Sequence, residues 1–285
     1  MSSSDWALPF ELSEVVSIAR EASGLALQLA GHFQAEIKPD NTLVTQADRA
    51  LEALLHEKLA ALAPEFSFLG EETGLSGAPE SPCWVIDPID GTTNFVRGLP
   101  LWCISIGLVH RGRVVLGVVA TPPQGELVWA ATGHGAFAGR LDDASIALPL
   151  RARDPQTLIQ EDLIACNTSV EEAVDFVGVP CRLRNLGSLA YHLSLLARGT
   201  LCASLAHYHK IYDVAGGVCV CIEAGCEARN FDGTLWIADV ARRDATPLLV
   251  APAGAMQVLL NRLTLREPAL RRGEHSISTV TGQNE

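Results

Sequence analysis

The N-terminal part of the chain carries two helical patterns of apolar positions. Apolar side chains recur at three- and four-residue spacings over 11–35, which predicts an amphipathic helix. After a polar break, leucines repeat this spacing over 51–62 and stop before Pro64, which predicts a second helix docked on the first. Thr45 and Asp48 have the T-x-x-D spacing of a capping box, so we place the start of the second helix there.

From Cys83 onwards the pattern changes to short apolar runs of the kind that form strands. One run covers 83–86, and further runs fill 102–138, where turn-like RGR and PQG segments separate them. Runs joined by such tight turns are typical of an antiparallel meander. The middle of the chain is therefore predicted to form one sheet of sequential strands.

After Pro149, strand-like and helix-like segments alternate, which favours α/β character. We therefore predict two parts, 1–150 and 151–285, with their boundary in the stretch 150–155. The polar C-terminal residues GEHSISTVTGQNE are expected to form a loose tail. The predicted strands lie at 162–167, 182–186 and 200–206, and the predicted helices lie at 170–178, 188–198 and 213–224.

Composition and charge narrow the class of protein. With 48% hydrophobic and 19% charged residues among 285, the chain has enough apolar material for packed cores and is not a disordered protein. It has no run of eighteen apolar residues and no basic or apolar leader, so we expect no spanning helix and a cytoplasmic location. The net charge of −12 repels phosphate backbones and anionic lipids, so we expect neither nucleic acid nor a membrane as a partner.

The eight cysteines are scattered through apolar segments, which predicts buried thiols rather than disulfides. The closest group, Cys219, Cys221 and Cys226, lacks a C-x-x-C step and a neighbouring histidine. A zinc site is therefore not predicted there.

The segment WVIDPIDGTTNF carries the strongest candidate chemistry. A strand that ends at Ile86 would deliver Asp87 at its carboxyl end, and Pro88 would keep that strand from continuing through a central ladder. Gly91 can then form a tight turn. The result is a corner lined by the carboxylates of Asp87 and Asp90.

A helix that starts near Thr92 would point the amides of Gly91, Thr92 and Thr93 at one spot, an arrangement that suits a phosphate group. Two aspartates at this corner would repel each other and the phosphate, so a cation is needed between them. Mg²⁺ fits, because it takes a few carboxylates and shares phosphate oxygens with its substrate. The segment holds no histidine or cysteine, which disfavours zinc.

Each of these features also has an ordinary structural interpretation. D-P-x-D-G is a common turn composition, and Glu71 and Glu72 can form a solvated surface pair. Asp213 precedes an apolar helix, where an aspartate can act as an N-cap. It can equally supply the third carboxylate that a two-metal site needs.

Three motifs together resemble the inositol monophosphatase family of magnesium-dependent, lithium-sensitive phosphatases: GEE at 70–72, WVIDPIDGTTNF at 84–95 and YDVAGG at 212–217. The resemblance extends from the first helix to about residue 250, and 38–48 matches a weaker family feature. It implies an α+β fold, a layered α/β/α/β/α sandwich of the inositol monophosphatase / fructose-1,6-bisphosphatase type. It also implies two or three Mg²⁺ ions per site and a homodimer.

The resemblance assigns the metal ligands residue by residue. Glu71, Asp87 and the backbone carbonyl of Ile89 would hold one metal. Asp87, Asp90 and Asp213 would hold the second. Most ligands therefore belong to the N-terminal half, and Asp213 comes from the C-terminal half.

The resemblance also assigns roles in the hydrolysis of a small phosphorylated metabolite. Glu71 and Thr92 would position a metal-activated water for in-line attack on phosphorus. Asp48 would support the metals from outside, in addition to its capping role. The amides of Gly91 and Thr92 would hold phosphate oxygens. Substrate contacts would also come from Gly187, Ser188, Leu189 and Asp213.

Departures from the family pattern bear on the substrate. Inositol-selective members have an acidic residue seven positions before the last metal-binding aspartate, and this chain has Ala206 there. The following residues, 207–210, read HYHK and either line the leaving-group pocket or form a plain solvated loop. His207, His209 and Lys210 are expected to add potential positive charge there. Tyr212 stands directly before Asp213, where a tryptophan is usual in the family. This Tyr-Asp pair also resembles the histidinol-phosphate phosphatases. The expected substrate is thus a small polyol or sugar phosphate, with histidinol phosphate or a bisphosphate as the alternative.

Two rival functions differ in chemistry. A haloacid-dehalogenase-type phosphatase uses two aspartates two residues apart, whereas Asp87 and Asp90 are three apart, so an aspartyl-phosphate mechanism is disfavoured. A catalytically inactive binding or regulatory member is the alternative from another class. Every position that corresponds to a metal ligand is filled, which favours an enzyme.

Overall fold

The computed structural model describes residues 7–31, 35–37, 43–78, 80–241 and 247–266. The predicted C-terminal tail lies outside these residues. The helices of the described residues are α1 Leu12–Leu29, α2 Gln46–Leu62, α3 Thr92–Val96, α4 Thr168–Ala173, α5 Leu189–Ala197, α6 Ile211–Glu223 and α7 Ala253–Arg262. The strands are β1 Ala35–Ile37, β2 Leu43–Thr45, β3 Ser67–Gly70, β4 Gly74–Ser76, β5 Cys83–Asp90, β6 Cys103–His110, β7 Arg113–Thr121, β8 Glu126–Ala131, β9 Ala136–Arg140, β10 Leu148–Pro149, β11 Leu163–Cys166, β12 Val174–Asp175, β13 Arg182–Arg184, β14 Ala203–Ala206, β15 Cys226–Arg229, β16 Leu248–Pro252 and β17 Thr264–Leu265.

The two predicted N-terminal helices are confirmed as α1 and α2. Helix α1 ends at Leu29, earlier than the predicted limit of 35. Thr45 caps α2 by accepting hydrogen bonds from the amides of Ala47 and Asp48, and the Asp48 carboxylate accepts the Thr45 amide at 2.7 Å. The T-x-x-D spacing therefore forms a capping box, as predicted.

Most of the N-terminal half forms an eight-stranded sheet with the order β10-β9-β8-β7-β6-β5-β3-β4. Strands β5 to β9 follow one another antiparallel, which confirms the predicted meander, and only β3 and β5 pair in parallel. Strand β5 does not end at Ile86 as predicted, because its pairing with β6 resumes at Asp90 after Asp87. The pairing skips Pro88, which has no N–H to donate to the ladder.

The C-terminal half contributes a five-stranded sheet with the order β13-β11-β14-β16-β15. Strands β13, β11 and β14 are parallel, and β16 and β15 are antiparallel to their neighbours. The helix predicted to reach residue 178 ends at Ala173, because Val174 and Asp175 pair with β17 instead. The predicted strands are confirmed with shorter bounds.

Alternation along the strands builds five layers. On β5, Trp84 and Ile86 pack with α1 and α2, whereas Val85 packs with α5 and α6 on the opposite face. On β11, Ala165 packs with α5 and α6, and Ile164 packs on the other face with α7. The order of layers is α1/α2, first sheet, α5/α6, second sheet, then α4/α7, which confirms the expected α/β/α/β/α sandwich.

Helices α5 and α6 therefore belong to the C-terminal half but lie between both sheets. The predicted division at 150–155 follows the last strand of the first sheet, and it stays a prediction. Seven of the eight cysteines are buried as predicted, and Cys181 is partly exposed. Within the part of the chain that the structure describes, no helix is long and apolar enough to cross a membrane.

Candidate active site

The last residues of β5 carry the two aspartates of the central motif, and a turn at Gly91 follows them. The Ile89 amide donates to Asp87 Oδ1 at 3.0 Å, and the Thr92 hydroxyl donates to the Ile89 carbonyl at 3.1 Å. Gly91 has a φ of 95° and caps α3, and a Cβ there would lie 3.0 Å from the Leu101 carbonyl oxygen. Only glycine fits this turn, since an L side chain would be both strained and crowded.

The start of α5 holds Asp90. The Asp90 Oδ2 atom accepts hydrogen bonds from the Ser188 hydroxyl at 2.7 Å and from the Ala190 amide at 2.6 Å. The Ser188 side chain is buried and also caps α5 by accepting the Tyr191 amide at 3.2 Å. This contact joins the two halves of the chain at the predicted site, and it commits the Ser188 hydroxyl to Asp90.

Helix α6 delivers Asp213 through an unusually close contact with the first sheet. A Cβ at Gly216 would lie 2.8 Å from the Ile106 carbonyl oxygen, and a Cβ at Gly107 would lie 2.7 Å from the Ala215 Cβ. On the other side of α6, a Cβ at Gly217 would meet Leu193 Cβ at 2.5 Å. The AGG that follows Asp213 therefore lets α6 fit between the sheet and α5.

A second acidic group comes from α2 and from the turn after β3. Ligand atoms of Asp48, Glu71 and Glu72 all lie within 4.8 Å of one another. The Thr92 hydroxyl lies 3.5 Å from Asp48 Oδ1, which links this group to the turn after β5. Glu72 had no predicted role in the site, although the GEE motif places it beside Glu71.

Burial and the charges of neighbouring acids raise the pKa values of the three aspartates. Burial and then the charges of Glu71, Asp90 and Asp213 raise the pKa of Asp87 well above its usual range. Burial raises the pKa of Asp90 to about 7, against the opposing effect of its hydrogen bonds from Ser188 and Ala190. Burial and the charge of Asp90 likewise raise the pKa of Asp213.

The donor set fits a hard divalent cation. The predicted ligands are all oxygen atoms, and a cation among them would relieve the burial and mutual repulsion that raise the aspartate pKa values. Oxygen ligands of this kind suit Mg²⁺ rather than zinc. The structure thus brings together Asp48, Glu71, Asp87, Asp90, Thr92 and Asp213.

The predicted substrate contacts border this group on one side. Gly187 and Ser188 lie against Gly91, since a Cβ at Gly91 would be 3.1 Å from Ser188 Cβ and 3.3 Å from the Gly187 carbonyl oxygen. The Leu189 side chain is buried in the core between the sheets. Leu189 can therefore contact a ligand there only through its backbone.

The segment 207–210 is not a fully solvated loop, because one of its side chains is buried. The His209 side chain is only 5% exposed, and burial lowers its pKa to about 4, so it is neutral near pH 7. The expectation of positive charge from His209 is therefore wrong. The Lys210 ammonium lies 5.3 Å from the centre of the exposed Tyr208 ring, and its charge partly opposes the rise in the pKa of Asp213.

Comparisons with known proteins agree with this geometry. The model of the inositol monophosphatase family matches residues 11–265. "Inositol monophosphatase 2" of Solanum lycopersicum is 33% identical over 238 residues, which cover 75% of this chain and 86% of the relative. "Histidinol-phosphatase" of Streptomyces coelicolor is 30% identical over 240 residues, which cover 80% of this chain and 89% of the relative. A crystal structure of the extragenic suppressor protein suhB from Bartonella henselae superposes with a TM-score of 0.75 at 25% identity, covering 88% of this chain and 97% of that one.

Proposed function

Because the chain belongs to the inositol monophosphatase family, whose members hydrolyse phosphomonoesters, we propose that it is a Mg²⁺-dependent phosphatase acting on a small polyol or sugar phosphate. The observation that carries the proposal is the convergence of four acids, with raised aspartate pKa values: Glu71 from the turn after β3, Asp87 and Asp90 from β5, and Asp213 from α6. So many neighbouring acids, two of them buried, need a cation, and phosphate chemistry uses one.

Glu71, Asp87 and the Ile89 carbonyl would hold one Mg²⁺, and Asp87, Asp90 and Asp213 would hold another; a third ion is compatible with the same acids. When bound, Mg²⁺ supplies positive charge that offsets the charge of the phosphate and lowers the pKa of a bound water. The family resemblance and the all-oxygen donor set support these assignments.

The chain's own residues orient the reactants. The Thr92 hydroxyl directs its proton to the Ile89 carbonyl, so its oxygen can accept a hydrogen bond from the attacking water. Glu71 would accept a hydrogen bond from the other O–H of that water. The Asp48 carboxylate lies 3.5 Å from the Thr92 hydroxyl and would help to orient it. The amides of Gly91 and Thr92 donate to phosphate oxygens, and Gly187, Ser188, Leu189 and Asp213 border the alcohol.

Phosphate release from a panel of phosphomonoesters, with and without Mg²⁺, tests the proposal. We expect hydrolysis that a chelator abolishes, and we expect Asp90→Asn to lower it far more than tenfold without unfolding the protein. Asp142→Asn, at an exposed carboxylate, is the control and should keep full activity. An Asp90→Asn variant within about tenfold of wild type, a loss of only ~1.4 kcal/mol in transition-state stabilisation, contradicts the metal assignment. No release from any ester would favour the inactive binding protein.

A second candidate substrate class is histidinol phosphate or a bisphosphate. Ala206 ends β14 as a buried apolar residue, so this position offers no carboxylate to ring hydroxyls, and Lys210 adds one positive charge nearby. The histidinol-phosphatase relative supports this alternative. Competing kcat/KM values decide it: inositol 1-phosphate should not be strongly preferred, and a hundredfold advantage for it would contradict the argument from Ala206.

The family resemblance supports three further proposals about the whole protein. We propose that Li⁺ inhibits it, that it is a homodimer and that it works in the cytoplasm. Inhibition titrations, light scattering in solution and fractionation of cells test these separately from the chemistry.

A further inference from the structure

Glu52 is a buried acid of α2 that has no predicted role in the chemistry of the site. It lies on α2, one turn after Asp48, and it is 1% exposed. Its Oε2 accepts the Glu72 amide at 2.9 Å, and its Oε1 accepts the Thr73 amide at 2.8 Å. Both oxygens of Glu52 are thus used to hold the turn that carries Glu71 and Glu72.

Gly70 makes room for this carboxylate. It is the last residue of β3, and a Cβ there would overlap the carboxyl group of Glu52, with Oε2 only 2.7 Å away. Gly70 is not among the glycines with positive φ, so glycine is needed there for space and not for its backbone conformation. The first glycine of the GEE motif and Glu52 therefore form a matched pair.

We propose that Glu52 is a positioning residue that sets Glu71 and Glu72 against Asp48. Helix α2 then contributes Asp48 directly and places the other two acids through Glu52. Two amide hydrogen bonds to one carboxylate fix the turn more tightly than a neutral acceptor would. Without them, the like charges of Asp48, Glu71 and Glu72 would drive the turn away from α2.

The inference rests on the proposed metal-dependent function, so its test reads metal binding and backbone protection as well as turnover. In Glu52→Gln, the side-chain NH₂ would face one of the two amide donors and one hydrogen bond is lost. We expect a Kd for Mg²⁺ alone, measured by calorimetry, that is raised tenfold or more. We also expect faster hydrogen exchange at the amides of Glu72 and Thr73. Glu57→Gln, an exposed acid on the same helix, is the matched control and should change neither.

Gly70→Ala tests the pair without removing a charge. In the wild-type background its methyl group should displace Glu52 and raise the Kd as Glu52→Gln does. In a Glu52→Ala background the same methyl fills vacated space, so Gly70→Ala should cause no further loss. This non-additivity is the signature of direct contact. Circular dichroism checks that Glu52→Gln is folded. If it is not, Glu52→Asp is measured in its place, because it keeps the charge but shortens the side chain by one methylene.

The outcomes separate the two proposals. If wild type neither binds Mg²⁺ nor releases phosphate, the proposed function fails, whereas the hydrogen exchange still reports on the Glu52 contacts. If wild type binds Mg²⁺ and folded Glu52→Gln binds it equally well, with only a lower stability, Glu52 is structural and the inference is overturned. Additive losses from Gly70→Ala and Glu52→Ala would overturn it as well.

Discussion

Replacing Gly216 by alanine tests how closely α6 must approach the first sheet. The added Cβ would lie 2.8 Å from the Ile106 carbonyl oxygen, 2.8 Å from Ser105 Oγ and 3.0 Å from the Val118 carbonyl oxygen. Two of these three atoms belong to the backbone of β6 and β7 and cannot rotate away. The helix must therefore move outwards by several tenths of an ångström, together with Asp213 one turn earlier.

Two opposing contributions decide the size of the effect. Alanine improves helix propensity over glycine by roughly 1 kcal/mol, and overpacking a tight contact costs typically ~1–3 kcal/mol. Because the clash at Gly216 is with backbone, we take the upper end and expect a net destabilisation of about 2 kcal/mol. Gly24 offers the matched comparison: it lies in α1, nothing lies within 4 Å of its Cβ position, and Gly24→Ala should stabilise by about 0.5–1 kcal/mol.

Urea unfolding of both variants measures the difference, and phosphate release measures the shift of Asp213. We expect kcat/KM to fall at least tenfold in Gly216→Ala and to be unchanged in Gly24→Ala, because small misplacements of reacting groups are costly. A Gly216→Ala protein as stable as Gly24→Ala would refute the close docking. A destabilised protein with full activity would refute the link from this contact to Asp213.

Two further predictions concern Thr92 and His192. Thr92→Ala should lower kcat by about a hundredfold while changing the Kd for Mg²⁺ little, because its hydroxyl orients water. Substitution of its exposed neighbour, Thr93→Ala, is the control. Equal losses of turnover and metal affinity in Thr92→Ala would contradict this role. His192 is buried, its Nε2 accepts the Leu186 amide at 3.0 Å, and burial lowers its pKa to about 4. As the pH falls below about 6.5, His192 binds a proton in the unfolded chain but stays neutral in the folded chain. Titration of His192 should therefore lower the free energy of unfolding by about 2 kcal/mol between pH 7.5 and pH 5. His192→Ala should be less stable than wild type at pH 7.5. Its free energy of unfolding, measured with urea, should fall less than that of wild type between pH 7.5 and pH 5, by about 2 kcal/mol. An identical pH dependence of the two proteins would show that His192 does not titrate in this way.

The features predicted correctly from the sequence are those encoded over short distances. The spacing of apolar residues predicts α1, α2 and the meander, and Thr45 with Asp48 predicts the capping box that the structure shows. The motif around Asp87 and Asp90 predicts the turn at Gly91, because Pro88 interrupts the strand ladder and glycine readily adopts the positive φ that the turn requires. Local chemistry was sufficient in each case.

The features that were missed depend on partners far away in the chain. Glu52 occupies a position in an amphipathic helix where a glutamate is expected to be solvated, and it is instead buried against Gly70 and the turn after β3. Ser188 donates a hydrogen bond to Asp90 although the two residues are 98 positions apart in the chain. His209 is buried against Trp236, so a segment that is polar in sequence is not charged as expected.

One arrangement recurs among the acids of the site, and it explains how like charges can be held together before a cation arrives. A backbone amide anchors one oxygen of each aspartate: Thr45 for Asp48 at 2.7 Å, Ile89 for Asp87 at 3.0 Å, Ala190 for Asp90 at 2.6 Å and Lys210 for Asp213 at 2.8 Å. Hydrogen bonds to a charged acceptor contribute roughly 1.5–3 kcal/mol each, which offsets part of the burial and repulsion. An asparagine can keep this bond through its carbonyl oxygen and place its NH₂ where the second carboxylate oxygen stood. Substitutions of this kind should therefore preserve the fold and remove the metal ligand, which is why Asp90→Asn separates chemistry from structure.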